Sequence, residues 1–158
     1  MWSSLNTLML DLTRLRVLLV EDNAIDARIM IRALREAAET RFEIDHVEDL
    51  HSALTTLGTE LYDCILLDLT LPDSTKLTAL ERVKASTPDT PVVVISGLDD
   101  PLVAVEAVDS GAHDFLPKST VDGDMVARSI RYAVTRNHSE TNLRAANDKL
   151  NVAQVRER

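Results

Sequence analysis

The chain alternates short, continuous apolar runs with longer amphipathic stretches, and this alternation constrains the fold more than any other feature. Such a run is typical of a strand buried on both faces, and the stretches between the runs have the spacing of helices. Alternating strands and helices need right-handed crossovers, hence a parallel sheet with helices on both faces. We predict one doubly wound α/β domain over residues 14–138, with strands at 16–20, 42–47, 63–69, 91–95 and 114–116.

Capping residues set the expected helix boundaries. Asp49 is a good N-cap for a helix that ends at Gly58, and Asp99 or Asp100 caps a later helix with a proline in its first turn. A last helix is expected from about Asp124, because no proline or glycine follows that residue.

Composition limits the cellular location and the binding partners that we expect for this chain. The 158 residues are 45% hydrophobic, enough for one sizeable core, and the net charge of -9 argues against nucleic acid as a direct partner. Cys64 lies inside an apolar run, which indicates a buried thiol in a reducing compartment. No apolar segment is long enough to span a bilayer, so we expect a cytoplasmic protein without membrane insertion. Solvated positions are expected for all four histidines: His46, His51, His113 and His138.

Polar residues follow the ends of four predicted strands. Glu21 and Asp22 follow the first, Asp68 ends the third, and Ser96 and Lys118 follow the fourth and fifth. Ligands bind at this edge of doubly wound sheets, where the strand order reverses. Converging carboxylates suit Mg²⁺, and a hydroxyl and an ammonium can hold phosphate oxygens. Any one of these residues alone is best interpreted as a solvated loop residue, but the five together predict a phosphoryl-transfer site.

The phosphoryl donor must be another molecule. The four glycines are scattered, and none forms part of a nucleotide-binding loop. A carboxylate can itself be the nucleophile and form an aspartyl phosphate, and Asp68 is the central acid of the predicted group.

Four segments carry a resemblance to a known family. "VLLVEDN", "CILLDLTLPD", "VVVISG" and "GAHDFLPK" resemble the strand motifs of the receiver domains of two-component response regulators, over residues 16–137. The resemblance implies the chemotaxis-type, flavodoxin-like receiver fold, with a five-stranded parallel sheet in the order 2-1-3-4-5. The uninterrupted pattern after Asp124 adds an extended C-terminal helix.

The same resemblance implies the roles of the strand-end acids. Asp22 and Asp68 would ligate Mg²⁺ directly together with the Thr70 carbonyl, and Glu21 would act through water. Asp68 would accept a phosphoryl group from a phosphohistidine on a histidine kinase or phosphotransfer protein. The chain would then be a signalling phospho-acceptor that catalyses only its own phosphorylation and dephosphorylation.

The phosphoryl-binding and switch residues implied by the resemblance are Ser96, Gly97, Phe115 and Lys118. Phosphorylation would repack the surface of the fourth helix, fifth strand and fifth helix. Thr70 and Leu98 occupy the positions that tune dephosphorylation, and Leu98 cannot help a water molecule to attack the acyl phosphate. We therefore expect slow self-dephosphorylation.

Both termini extend beyond the predicted domain. Residues 1–13 are expected to form either a short amphipathic helix or a frayed start. Residues 139–158 are expected to form a helical extension, either a coiled coil that makes a homodimer or a frayed, solvated tail. The pattern continues up to Arg158, which is consistent with an output domain beyond it. Apolar residues recur in this extension at spacings of three, four and three: Leu143, Ala146, Leu150 and Ala153.

Two other functions compete with a phospho-acceptor. One is a Mg²⁺-dependent phosphatase or phosphotransferase with an aspartyl intermediate, but the common pattern needs a second Asp where Thr70 stands. The other is an interaction protein that works without phosphate, against which the presence of all five site residues counts. Labelling of Asp68 without substrate turnover would separate these alternatives.

Overall fold

Five strands and five helices alternate along residues 10–97, 100–119 and 122–156, the part of the chain that this computed structural model describes. The strands are β1 (Arg14–Val20), β2 (Arg41–Val47), β3 (Cys64–Asp68), β4 (Val92–Ser96) and β5 (Asp114–Pro117). The helices are α1 (Ala24–Arg35), α2 (Leu50–Leu57), α3 (Lys76–Ser86), α4 (Pro101–Asp109) and α5 (Gly123–Arg156). All strand pairs are parallel in the order β2-β1-β3-β4-β5, which confirms the predicted fold.

The continuous apolar runs form the centre of the sheet because helices cover both of its faces. Every residue of β3 and of β4 is buried. In β1, Leu18 and Val20 point into one apolar cluster, whereas Val17 and Leu19 point into the other. Side chains in a strand alternate between faces, so a strand with apolar residues at every position must have a core on each side.

Helix capping agrees with the sequence at the positions that the structure describes. The Asp49 side chain accepts a hydrogen bond from the Ser52 N–H at 2.7 Å, and Gly58 is the C-cap of α2, as predicted. Asp100 caps α4 by accepting a backbone hydrogen bond at 3.0 Å. Asp99, the alternative cap, lies outside the described residues.

Helix α5 runs for 34 residues without interruption and begins at Gly123. One face of its first turns is buried, and later side chains contact the loop between α3 and β4. There Asn137 Nδ2 donates to the Asp89 carbonyl at 2.6 Å, and the Arg144 guanidinium lies 3.4 Å from the Asp89 carboxylate. Although α5 is long, no helix in the described ranges has the apolar length needed to cross a membrane.

His113 corrects one expectation from the sequence. Its side chain is only 10% exposed, and its Nδ1 atom is buried with no hydrogen-bond partner among the described residues. Its Nε2 atom lies 3.9 Å from the Glu140 carboxylate of α5. Burial, followed by the nearby Lys84 ammonium, lowers the pKa of His113. The prediction of a solvated position was therefore wrong for this histidine, which lies at the edge of the sheet where the strands begin.

Replacing Gly123 with alanine is expected to destabilise the fold by about 1–3 kcal/mol, the usual cost of overpacking. An added Cβ would lie 2.8 Å from both the Cβ and the carbonyl oxygen of Ala33, so α5 would have to shift away from α1. Equilibrium urea unfolding measures the change. Gly97→Ala is the control, since its added Cβ would meet no described atom within 4 Å. A Gly123→Ala variant as stable as the wild type would contradict this close helix contact.

Candidate functional site

Three predicted carboxylates meet at the carboxyl edge of the sheet. Glu21 and Asp22 follow β1, Asp68 ends β3, and the two strands are hydrogen-bonded neighbours. One carboxylate oxygen from each residue lies within 4.8 Å of the other two. Glu21 and Asp68 are each 3% exposed, whereas Asp22 is exposed to solvent. The parallel topology thus brings together acids that are 46 or 47 positions apart in the chain.

Lys118 supplies the positive charge at this edge. Its Nζ atom lies 3.0 Å from Asp68 Oδ2 and 3.1 Å from Asp26 Oδ2, and it also forms an ion pair with Glu21. Its backbone N–H donates to the Ser96 carbonyl at 2.8 Å, which holds the end of β5 against β4. Burial opposes the charge, but the bonds to Glu21 and Asp68 raise the pKa of Lys118 above its usual range. Lys118 therefore stays a cation among carboxylates.

The pKa values of the two buried acids are shifted in opposite directions. Burial, together with the adjacent Asp68, raises the pKa of Glu21 to about 8. Burial opposes ionisation of Asp68 as well, but Glu21, two bonds from Thr70 and one from Lys118 lower its pKa. The Thr70 N–H and hydroxyl donate to Asp68 Oδ1 at 3.0 and 2.7 Å. Asp68 is therefore held as a carboxylate, the form that can act as a nucleophile.

The acids also have the chemistry of a site for a hard divalent cation. Glu21 Oε2 is buried and has no hydrogen-bond partner among the described residues. A buried carboxylate oxygen without a partner costs free energy, and a cation at that position would remove the cost. Mg²⁺ prefers oxygen ligands and retains water, which suits a group in which Asp22 faces solvent. Glu21, Asp22 and Asp68 are the side chains that could hold it.

The remaining predicted residues surround this group. Ser96 is completely buried at the end of β4, one residue after Ile95, the residue that pairs with Asp68 in the sheet. Gly97 follows it at the surface, and Leu98 lies outside the described residues. Phe115 is half-buried and packs against the apolar cluster on the α4 side of the sheet.

Asp26 is a site residue that the sequence analysis missed. It lies in the first turn of α1, three residues after Asn23, whose side chain caps the helix by accepting two backbone hydrogen bonds at 3.0 Å. Acids are common in the first turn because they interact favourably with the helix dipole, so Asp26 looks like an ordinary capping residue. Its spacing of four residues from Asp22 is a weak signal that it lies near the same edge.

A cavity of about 240 Å³ lies beside the site. Lys118 and Asp26 border it, and apolar side chains from the sheet and α1, among them Leu19 and Met30, line its interior. Gly123 closes the side formed by the start of α5. The Lys118 side chain therefore borders open space as well as the carboxylates that it contacts.

Comparison with known proteins agrees with this arrangement. The family model described as "Response regulator receiver domain" matches residues 17–130. The swarming motility regulation protein RssB of Serratia marcescens is 32% identical over 114 residues, covering 72% of this chain and 51% of RssB. The transcriptional activator protein IrlR of Burkholderia pseudomallei (strain 1026b) is 35% identical over 114 residues, covering 72% of this chain and 48% of IrlR. The chain thus spans about half the length of these curated relatives.

Solved structures show the same fold. The receiver domain of the Francisella response regulator 1452 has a TM-score of 0.68 at 24% identity, covering 77% of this chain and 98% of that one. A response regulator receiver domain protein from Methanospirillum hungatei JF-1 has a TM-score of 0.69 at 19% identity, covering 79% of this chain and 97% of the other.

Replacing Lys118 with methionine is expected to destabilise the fold by about 1–3 kcal/mol. The cost lies below that of a fully buried pair because Lys118 is 23% exposed, and because Glu21 can take up a proton. Added Mg²⁺ should recover part of the loss, since binding to the folded state alone raises stability. Urea unfolding with and without Mg²⁺ measures both effects. Lys149→Met, on the exposed part of α5, is the matched control.

Equal stability of the Lys118→Met variant and the wild type would show that the ammonium does not balance the buried acids. A Mg²⁺ response of the same size in a variant with Asp22→Asn would show that the cation binds elsewhere.

Proposed function

Because the chain belongs to the response regulator receiver domain family, we propose that Asp68 accepts a phosphoryl group from a phosphohistidine on a histidine kinase or phosphotransfer protein. Receiver domains are signalling domains of two-component systems and receive phosphoryl groups from histidine kinases. The observation that supports Asp68 as the acceptor is its position: a buried, ionised carboxylate that ends β3 beside Lys118 and two further acids.

The reaction needs little beyond positioning. An Asp68 oxygen attacks the phosphorus, an O–P bond forms, and the N–P bond of the phosphohistidine breaks. The bonding electrons return to the imidazole nitrogen of the donor, which then takes a proton from solvent. Lys118 is close enough to Asp68 to donate to the transferred phosphoryl oxygens, and Ser96 at the end of β4 would do the same.

Receiver domains bind Mg²⁺ at an acidic pocket, and here Asp22 and Asp68 would ligate it together with the Thr70 carbonyl, with Glu21 acting through water. The cation would neutralise charge on the phosphoryl oxygens. Two features of this chain support the assignment: the Glu21 oxygen without a partner among the described residues, and the hydrogen bonds that tie Thr70 to Asp68.

The response to phosphorylation would spread over α4, β5 and α5. Phe115 of β5 borders a surface cavity together with Val105 and Val108 of α4, which are 57% and 51% exposed. Exposed apolar side chains in one patch are typical of an interaction surface. A hydrogen bond of 2.6 Å from the Ser129 hydroxyl to Asp114 connects α5 to the same strand.

The extension of α5 would form the dimer contact. Leu143 and Leu150 are 64% and 61% exposed and lie seven residues apart, on one face of the helix.

The proposed domain division has residues 14–138 as the receiver unit and residues 139–158 as this extension. Residues 1–9 of the N-terminal segment 1–13 lie outside the described part of the chain.

Incubation with acetyl phosphate and Mg²⁺ is expected to add one phosphate to the wild-type chain, measured as intact mass. Asp68→Asn should abolish the adduct, because an amide is a poor nucleophile, whereas Asp109→Asn on α4 should leave it unchanged. The adduct should persist for longer than seconds, since Leu98 cannot position a water molecule. An adduct that survives Asp68→Asn would place the phosphate on another residue.

Replacing Leu143 and Leu150 together with glutamate is expected to weaken dimerisation at least tenfold, because each change places a charge in the apolar contact. Sedimentation velocity over a range of concentrations, with and without phosphorylation, measures the dissociation constant. Leu61→Glu is the control, since Leu61 is 88% exposed on the loop before β3. A wild-type chain that stays monomeric in both states at high concentration would contradict this part of the proposal.

A further inference from the structure

The ion pairs of Lys118 include one that the proposed reaction does not use. The Lys118 ammonium contacts Glu21, Asp26 and Asp68, of which only Asp26 belongs to a helix. Asp26 is also the partner most open to solvent, because its side chain is 42% exposed, against 5% for Glu21 and 4% for Asp68. It lies outside the group of acids that could hold a cation.

The three carboxylates match the three N–H donors of an ammonium group, so each donor has a partner before any phosphate arrives. A phosphoryl group on Asp68 brings three acceptor oxygens and roughly one and a half to two negative charges, which replace the single charge of the carboxylate. The bond from Lys118 to Asp68 can pass to one phosphoryl oxygen, but a second bond to the phosphoryl group requires Lys118 to release or share Glu21 or Asp26. Asp26 and Glu21 therefore compete with the phosphoryl group for Lys118.

We propose that Asp26 is a positioning residue that holds Lys118 in the arrangement it has before Asp68 is phosphorylated, and that Asp26 thereby slows phosphoryl uptake by Asp68. This inference rests on the proposed function of Asp68. Asp26 acts in two ways: its oxygen occupies an N–H that a phosphoryl oxygen needs, and its charge repels an anionic donor. The cavity beside Lys118 and Asp26 gives the ammonium room to move once that bond is broken.

The effect of the ion pair between Asp26 and Lys118 must be distinguished from the effect of the Asp26 charge on the helix dipole. Asp26 lies in the first turn of α1, where an acid also interacts with the helix dipole. Asp26→Glu keeps both the charge and the ability to pair with Lys118, so it tests whether the ion pair itself matters. Glu36→Gln removes the same charge just after the other end of α1, where Glu36 pairs only with Arg32 among the described residues.

The experiment measures the initial rate of phosphate addition from acetyl phosphate by intact mass, over a range of donor concentrations and at fixed Mg²⁺. Asp26→Asn should raise the apparent second-order rate constant about two- to five-fold, the range for a partly exposed ion pair. The gain should shrink as added salt screens the charge. Asp26→Glu and Glu36→Gln should both react at close to the wild-type rate, with urea unfolding as a check on each fold.

The possible failures can be told apart. A wild-type chain that takes up no phosphate at Asp68 would overturn the proposed function itself. Uptake by the wild type with an equal or slower rate in the Asp26→Asn variant would overturn the role of Asp26 and leave the acceptor in place. An increase of the same size in Glu36→Gln would show that net charge on α1, and not the contact with Lys118, sets the rate.

Discussion

One ammonium group shared among carboxylates is the interaction on which the site depends. Lys118 pairs with Glu21, Asp26 and Asp68, and Asp22 adds a fourth acid at the same edge of the sheet. Four carboxylates around one ammonium make a negative site, and like charges repel strongly in partly buried surroundings. Burial, followed by the adjacent Asp68, raises the pKa of Glu21, and its Oε2 atom has no hydrogen-bond partner among the described residues. The site's own side chains therefore leave an excess of negative charge, which a divalent cation can neutralise.

The parallel sheet brings these charges together, and α1 contributes Asp26 to them. Helices cover both faces, so β3 is buried along its whole length, including Asp68, its last residue. Helix α1 then makes two contacts of different kinds with the segment between β5 and α5. Ala33 packs against Gly123 so closely that a side chain would not fit, and Asp26 pairs with Lys118. The contact between Ala33 and Gly123 fixes how far α1 lies from the segment that carries Lys118. This spacing in turn sets the distance between the Asp26 carboxylate and the Lys118 ammonium.

The central strands and their polar ends could be predicted because each depends on a rule that acts locally. Burial on both faces requires apolar residues along β3 and β4 up to their last positions, Asp68 and Ser96, and parallel topology brings these carboxyl ends to one edge. Asp26 could not be found in this way, since its contact with Lys118 depends on how α1 packs and not on its local pattern. The prediction of a solvated position for His113 was wrong for the same reason. Helix α5 passes close enough to place Glu140 beside His113, and nothing in the residues around His113 indicates this.

Helix α5 connects the site to the opposite edge of the sheet. It begins at Gly123 beside the cavity that Lys118 borders, and farther along Glu140 lies 3.9 Å from His113. Backbone hydrogen bonds hold the length of a helix, so a displacement at its first turn moves the later turns as well. The hydrogen bond between Ser129 and Asp114 ties α5 to the strand that carries Phe115. Under the proposed function, a change in the partners of Lys118 would act on β5 and α5 together, and through α5 on the extension.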